Sequence, residues 1–258
     1  MRGRSVPAAP LVFLLVAVIS LLQFPSNLFM KTVSIPGGII INELVFIVGL
    51  PLVAVLALHY DASKLFPLKA PRVLTLLAAF AVTVPIAMLI DYAASATEAI
   101  LPMPASYHEL LDRIMAFSGG WEFALKLFVL CILPGFCEEF FFRGFCQTSI
   151  EAKWGIKKAM VITAVLFALL HANPWYFHLY FLLGLFLSWV YAVSRTLWIP
   201  IVCHIINNAW TFINNSLGVD YPVKGATSFA DISLVIGGVF LTILFGSLFK
   251  KSLRSLDL

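Results

Sequence analysis

Residues 122–146 read EFALKLFVLCILPGFCEEFFFRGFC. A helix needs roughly 20 mostly apolar residues to cross a hydrocarbon core of about 30 Å, and this stretch is long enough. Near its end it carries Glu138, Glu139 and Arg143, with Phe140, Phe141 and Phe142 between the charges. An ionisable group at the bilayer centre costs roughly 2.5–3.5 kcal/mol on insertion scales, so such groups are candidate site residues by default. Glu139 and Arg143 are four residues apart and share a helix face. Glu138 points about 100° away from Glu139. The spacing predicts a Glu139–Arg143 ion pair that leaves Glu138 free for another neighbour.

The rest of the chain agrees with a membrane setting. Of 258 residues, 61% are hydrophobic and 12% charged, with a mean hydropathy of +0.99. Soluble domains run near 45–50% and 25%. That excludes an ordinary soluble domain, and it excludes a disordered chain, which would be poor in hydrophobic residues. A net charge of +4 without a dense Lys/Arg cluster gives no sign of nucleic-acid binding. Cys131, Cys137, Cys146 and Cys203 lie in or near apolar stretches without CxxC spacing, so they form neither a disulfide framework nor a thiolate zinc site.

Seven further apolar runs cover 9–29, 39–58, 72–92, 158–172, 175–194, 197–215 and 231–249. The fold class expected is all-α, a polytopic transmembrane bundle of about eight spans, with residues 1–258 as a single integral-membrane domain. Pro51 and Pro85 predict kinks in the second and third spans. The fifth is short and ends at His171-Ala172-Asn173-Pro174, where the proline stops the helix. The first run follows Arg2 and Arg4 as a signal peptide would, but no clear small-x-small site follows it, and it reads as a span.

Eight spans with both termini inside place twelve basic residues in the cytoplasm: Arg2, Arg4, Lys64, Lys69, Arg72, Lys153, Lys157, Lys158, Arg195, Lys250, Lys251 and Arg254. Lys31, Arg113 and Lys224 fall outside, and Lys126 and Arg143 lie within the fourth span. Twelve against three satisfies the positive-inside rule. The longest outer connection, 93–120, contains ASYHELLDRIMAF at 105–117, which reads as an amphipathic helix at the interface.

Two more polar groups interrupt apolar runs. Phe167 and His171 share a face at the end of the fifth span, and His204 and Asn208 do so within the seventh, with Asn207 about 100° aside. Each alone reads equally well as an interface anchor or as hydrogen-bonding glue between helices. Together, Glu138, His171, His204 and Asn208 offer a base for water and donors for an oxyanion.

The patterns Glu138-Glu139-xxx-Arg143, Phe167-xxx-His171 and His204-xxx-Asn208 resemble, in residue type, spacing and order, the CPBP family of CAAX prenyl-proteases and bacteriocin-processing (Abi-type) intramembrane endopeptidases. The resemblance covers about 121–215. It implies a glutamate-dependent protease that hydrolyses a peptide bond of a membrane-associated protein or peptide. Glu138 would be the base, acting on water with His171. His204 and Asn208 would form the oxyanion site, and Glu139 with Arg143 would hold its shape. It implies catalysis without a cofactor, with zinc as the alternative, and a bacterial cell membrane as the location. A non-catalytic immunity or scaffold role is the competing reading, followed by a carrier. An inverted-repeat carrier would pair interrupted spans in both halves, whereas these polar residues occupy only spans four, five and seven.

Three expectations concern depth and surroundings. Helices starting at Trp121 and Lys157 would leave Glu138 and His171 at different depths, so the fourth helix is expected to begin deeper and run past Arg143. Trp175, Tyr176, His178 and Tyr180 read as an aromatic belt, with the lining of a substrate groove as the alternative. Glu43, beside Asn42, reads as a helix-start residue near the outer interface.

Overall fold

A computed structural model describes residues 6–219 and 229–254. Arg2, Arg4 and Lys224 lie outside the described residues. Among these residues there is no strand, and the expected all-α class holds. Among the described residues the longer helices are α1 (Ala9–Thr32), α2 (Ile35–Ala57), α3 (Val73–Ile100), α4 (Ala105–Met115), α5 (120–154), α6 (Ile156–Leu170), α7 (Phe177–Ser194), α8 (Trp198–Ser216) and α9 (Phe229–Arg254), and a single helical turn covers Ala62–Leu65.

Each of the eight predicted runs falls largely on a helix. Five helical stretches, within α1, α2, α3, α7 and α9, are long and apolar enough by themselves to cross a bilayer. The other three, α5, α6 and α8, carry the polar motifs. Their inner faces are buried: Glu139, Arg143, Phe167 and Cys203 are fully enclosed. With α6 only 15 residues long, about 22 Å at 1.5 Å per residue, these helices depend on neighbours for burial. The integral-membrane class therefore stands on the outer helices, and the site sits in the inner ones.

Local chemistry sets the boundaries. Ser34 caps α2 through its hydroxyl, which accepts from Gly37 N at 3.1 Å, and Pro36 occupies the first turn, where its missing N–H costs nothing. Gly155 separates α5 from α6 with φ 76° and ψ 164°, a conformation essentially restricted to glycine. Arg195, at φ 54°, closes α7. Three wide π-turned stretches occur at Asn42–Gly49, Phe128–Ile132 and Phe140–Gln147. All border the polar centre, in keeping with the tendency of π-bulges to occur at functional sites. Pro51 follows the first of these stretches without ending α2.

Candidate active site

The turn at Gly155 fixes the depth of the site. Glu138 precedes it by 17 residues and His171 follows it by 16, so each arm of the α5–α6 hairpin is about 25 Å long at 1.5 Å per residue. The two side chains meet at one level. The expected continuation of the fourth helix past Arg143 is present, and it extends to Trp154.

Glu139 is fully buried, and its Oε1 accepts from Arg143 Nη1 at 2.7 Å and contacts His204 Nδ1 at 2.7 Å. Because Oε1 already faces a guanidinium, the imidazole Nδ1–H donates to it. Arg143 also donates from Nη2 to Gly184 O at 3.0 Å, and Gln147 donates to Ser188 O at 3.0 Å. These bonds clamp α5 to α7. The predicted ion pair is thus a three-residue unit. It binds α8 to α5 through His204 and orients that ring.

Phe167 packs at the middle of this group. Its ring centroid lies 4.5 Å from that of His171 and 5.8 Å from that of His204, and the Arg143 guanidinium carbon sits 4.9 Å above it. Gly184 lets α7 approach closely enough: a Cβ there would stand 3.1 Å from Ala164 Cα and 3.2 Å from Phe167 Cδ1. Gly135 does the same for α8, since a Cβ there would come within 2.5 Å of Ile205 Cγ1.

Glu138 points the other way, as its 100° offset requires. Its Oε2 lies 3.9 Å from His171 Nε2, and that oxygen is buried without a hydrogen bond inside the protein. His171 Nδ1 stands 2.8 Å from Phe167 O. A carbonyl only accepts, so Nδ1 carries a proton, and in the neutral ring Nε2 presents a lone pair. Beyond His171 the chain turns through Ala172 at φ 48°, and Asn173 Oδ1 accepts from Tyr176 N at 3.1 Å.

Two cavities meet at His171. One, of about 200 Å³, is lined by Gln23, Asn27, Asn42, Glu138 and His171 among apolar neighbours. The other, of about 460 Å³, runs beneath α4 and includes Tyr107, Arg113, His171 and Tyr180. Asn27, His171 and Ala172 line both. Neither is lined by His204 or Asn208. Asn208 lies one turn beyond His204, accepts from Asn207 at 3.3 Å and donates to Leu130 O at 3.4 Å.

Further residues border the site, of which Asp91 gave no signal in the sequence. Tyr180 stacks on His171 at 4.0 Å between centroids, and Trp175 packs on Tyr107 of α4 at 4.9 Å, so both touch the site or its roof. Glu43 is buried in the body of α2, which runs from Ile35, and is not a helix-start residue. Asp91 accepts from Thr211 at 2.8 Å and from Asn214 at 3.2 Å, anchoring α8 to α3. Lys126 is buried and donates to Arg113 O and Ala116 O, the carbonyl end of α4. Gln23 and Asn27 did carry a signal, a polar pair at i and i+4 in an apolar run.

Among the described residues, no three His, Cys, Asp or Glu side chains converge as a metal-ligand set. Residues 120–210, the segment carrying Glu138, His171, His204 and Asn208, match the family model described as type II CAAX prenyl endopeptidase Rce1-like. Over this segment the chain is similar to CAAX-type prenyl endopeptidases. The chain is also 29% identical over 118 residues to "Putative membrane peptidase YdiL" of Bacillus subtilis (strain 168), which covers 45% of this chain. The match spans about half of that relative, 47% of its length. No solved structure matches the chain. The resemblance read from the three motifs and the family match coincide on the same helices.

Proposed function

We propose that the chain is an intramembrane endopeptidase that hydrolyses a peptide bond of a membrane-associated protein or peptide with water activated by Glu138 and His171. One observation carries this reading. Glu138 Oε2 and His171 Nε2 are both acceptors, 3.9 Å apart and at the edge of a cavity. A single water making two hydrogen bonds of about 2.8 Å bridges that gap at an angle of roughly 90°. It then has both protons directed at acceptors and its lone pairs directed outward, the geometry a general base requires.

In the reaction the water oxygen attacks the scissile carbonyl carbon and its proton passes to Glu138. As the carbon–nitrogen bond breaks, Glu138 returns that proton to the leaving nitrogen. The products are a carboxyl and an amine. The developing oxyanion needs donors. His204, held at Nδ1 by Glu139, and Asn208, through its amide N–H, are the residues assigned to supply them.

The reading is metal-free, and it places the protein in the cell membrane of a bacterium with both termini cytoplasmic. The family match and the YdiL likeness support a membrane peptidase. The twelve-to-three distribution of basic residues supports the orientation. The test uses the purified wild type and Glu138→Gln in detergent, each incubated with a membrane-proteome peptide library, with new termini read by mass spectrometry. Cleavage by the wild type alone is expected. Equal cleavage by the variant overturns the assignment of the base.

A further inference from the structure

The smaller cavity has a wall that this mechanism does not use. Gln23 and Asn27 lie one turn apart on α1, and Asn42 comes from α2. All three precede the matched segment 120–210. They face the cavity that Glu138 and His171 close from the other side. Asn42 Nδ2 donates to Glu43 Oε1 at 3.1 Å. Its Oδ1 is buried and makes no hydrogen bond inside the protein.

We infer that Gln23, Asn27 and Asn42 form a water-holding site that supplies the hydrolytic water to Glu138 and His171. This rests on the peptidase reading above. Hydrolysis consumes one water per bond, and the surrounding hydrocarbon holds almost none. A retained water needs two to four polar partners, and each occupies about 30 Å³, so a cavity of about 200 Å³ takes roughly six. Amide side chains suit the task because each both donates and accepts and none carries a charge. A charged wall would instead compete with Glu138 for the proton. Glu43 holds the Asn42 amide through Nδ2, and Asn42 Oδ1 keeps its acceptor capacity. Gln23, Asn27 and Asn42 act as positioning residues, holding water without touching the scissile bond. The larger cavity under α4 then serves the substrate, and His171, which lines both, stands where the two streams meet.

The test pairs hydration with kinetics in full-length protein purified in detergent. X-ray radiolytic footprinting labels side chains beside held water, and Phe142, Leu170 and His171 line this cavity. The Gln23→Leu/Asn42→Leu variant is expected to lower their labelling at least threefold, with exposed Trp121 unchanged as control. Glu138→Gln is expected to leave labelling unchanged. On a cleaved substrate the leucine variant lowers kcat at least tenfold with KM unchanged, and Asn42→Ser recovers most of the loss. Unchanged labelling overturns the proposal, as does a raised KM at constant kcat, which would make the amide wall a substrate contact. If the leucine pair does not fold, Gln23→Ala/Asn42→Ala takes its place with the same readouts. Absence of cleavage by the wild type would defeat the peptidase reading while the labelling still decides the water site.

Discussion

Glu138 Oε2 and His171 Nε2 stand 3.9 Å apart across the mouth of the α5–α6 hairpin, each a free acceptor on its own helix. The gap fits one water and no direct hydrogen bond. Glu138→Asp withdraws the carboxylate by one methylene, on the order of 1.5 Å. A misplacement near 1 Å can cost about 100-fold, so kcat is expected to fall by at least that factor. The melting temperature should stay within about 2 °C, because Glu138 is the member of the acidic pair that holds no helix. Activity near wild type would show that the separation is not the working one.

Gly155 creates that relationship from a distance. Its φ of 76° with ψ of 164° belongs to glycine, although a Cβ there would meet nothing within 4 Å. Gly155→Ala therefore acts through the backbone alone. It is expected to cost about 1–3 kcal/mol, read as a lowered melting temperature in detergent, and to reduce activity by shifting α6 against α5. A variant as stable as the wild type would mean the hairpin tolerates another turn.

Glu139, Arg143 and His204 provide a cycle. Arg143→Met leaves a buried carboxylate without its guanidinium and is expected to cost about 3–5 kcal/mol. The double variant Glu139→Leu/Arg143→Met should be less destabilised than the single one, since both charges leave together. It should still be inactive, because His204 loses the oxygen that orients it. Additive losses in stability would show that the pair is not coupled.

Gly135 keeps α5 and α8 in register. Gly135→Ala puts a methyl 2.5 Å from Ile205 Cγ1 and 3.3 Å from Ile205 N, on a β-branched side chain that yields little. Overpacking of this kind costs about 1–3 kcal/mol. It should also lengthen the 2.7 Å contact between Glu139 and the neighbouring His204. Thermal unfolding and cleavage rate are expected to fall together. A rise in stability would indicate that α8 moves freely.

Metal dependence separates the two readings of the histidines. A strong chelator is expected to leave the cleavage rate within twofold of the untreated enzyme. Loss of activity with chelator, restored by added zinc, would replace the water-activation scheme with a zinc site.

The sequence by itself determined the class of the protein and the alphabet of its site. Hydropathy must appear locally for a chain to partition into a bilayer, so eight apolar runs were legible, and each fell largely on a helix. Helical spacing is also local. It paired Glu139 with Arg143, turned Glu138 away, and put Phe167 on the face of His171. Which helix meets which is not local. Only the tertiary structure decided that His204 joins Glu139 rather than Glu138, that Phe167 lies near both histidines, and that Asp91 holds α8. The same holds for Gln23, Asn27 and Asn42, which reach the site from helices more than 90 residues away in sequence. Their polarity was visible, but their convergence depends on α2 folding back on α1, where a Cβ at Gly38 would stand 2.7 Å from Met30 Cβ. Contacts between distant segments follow from packing shape and from the length of each arm, and no single window of sequence contains them.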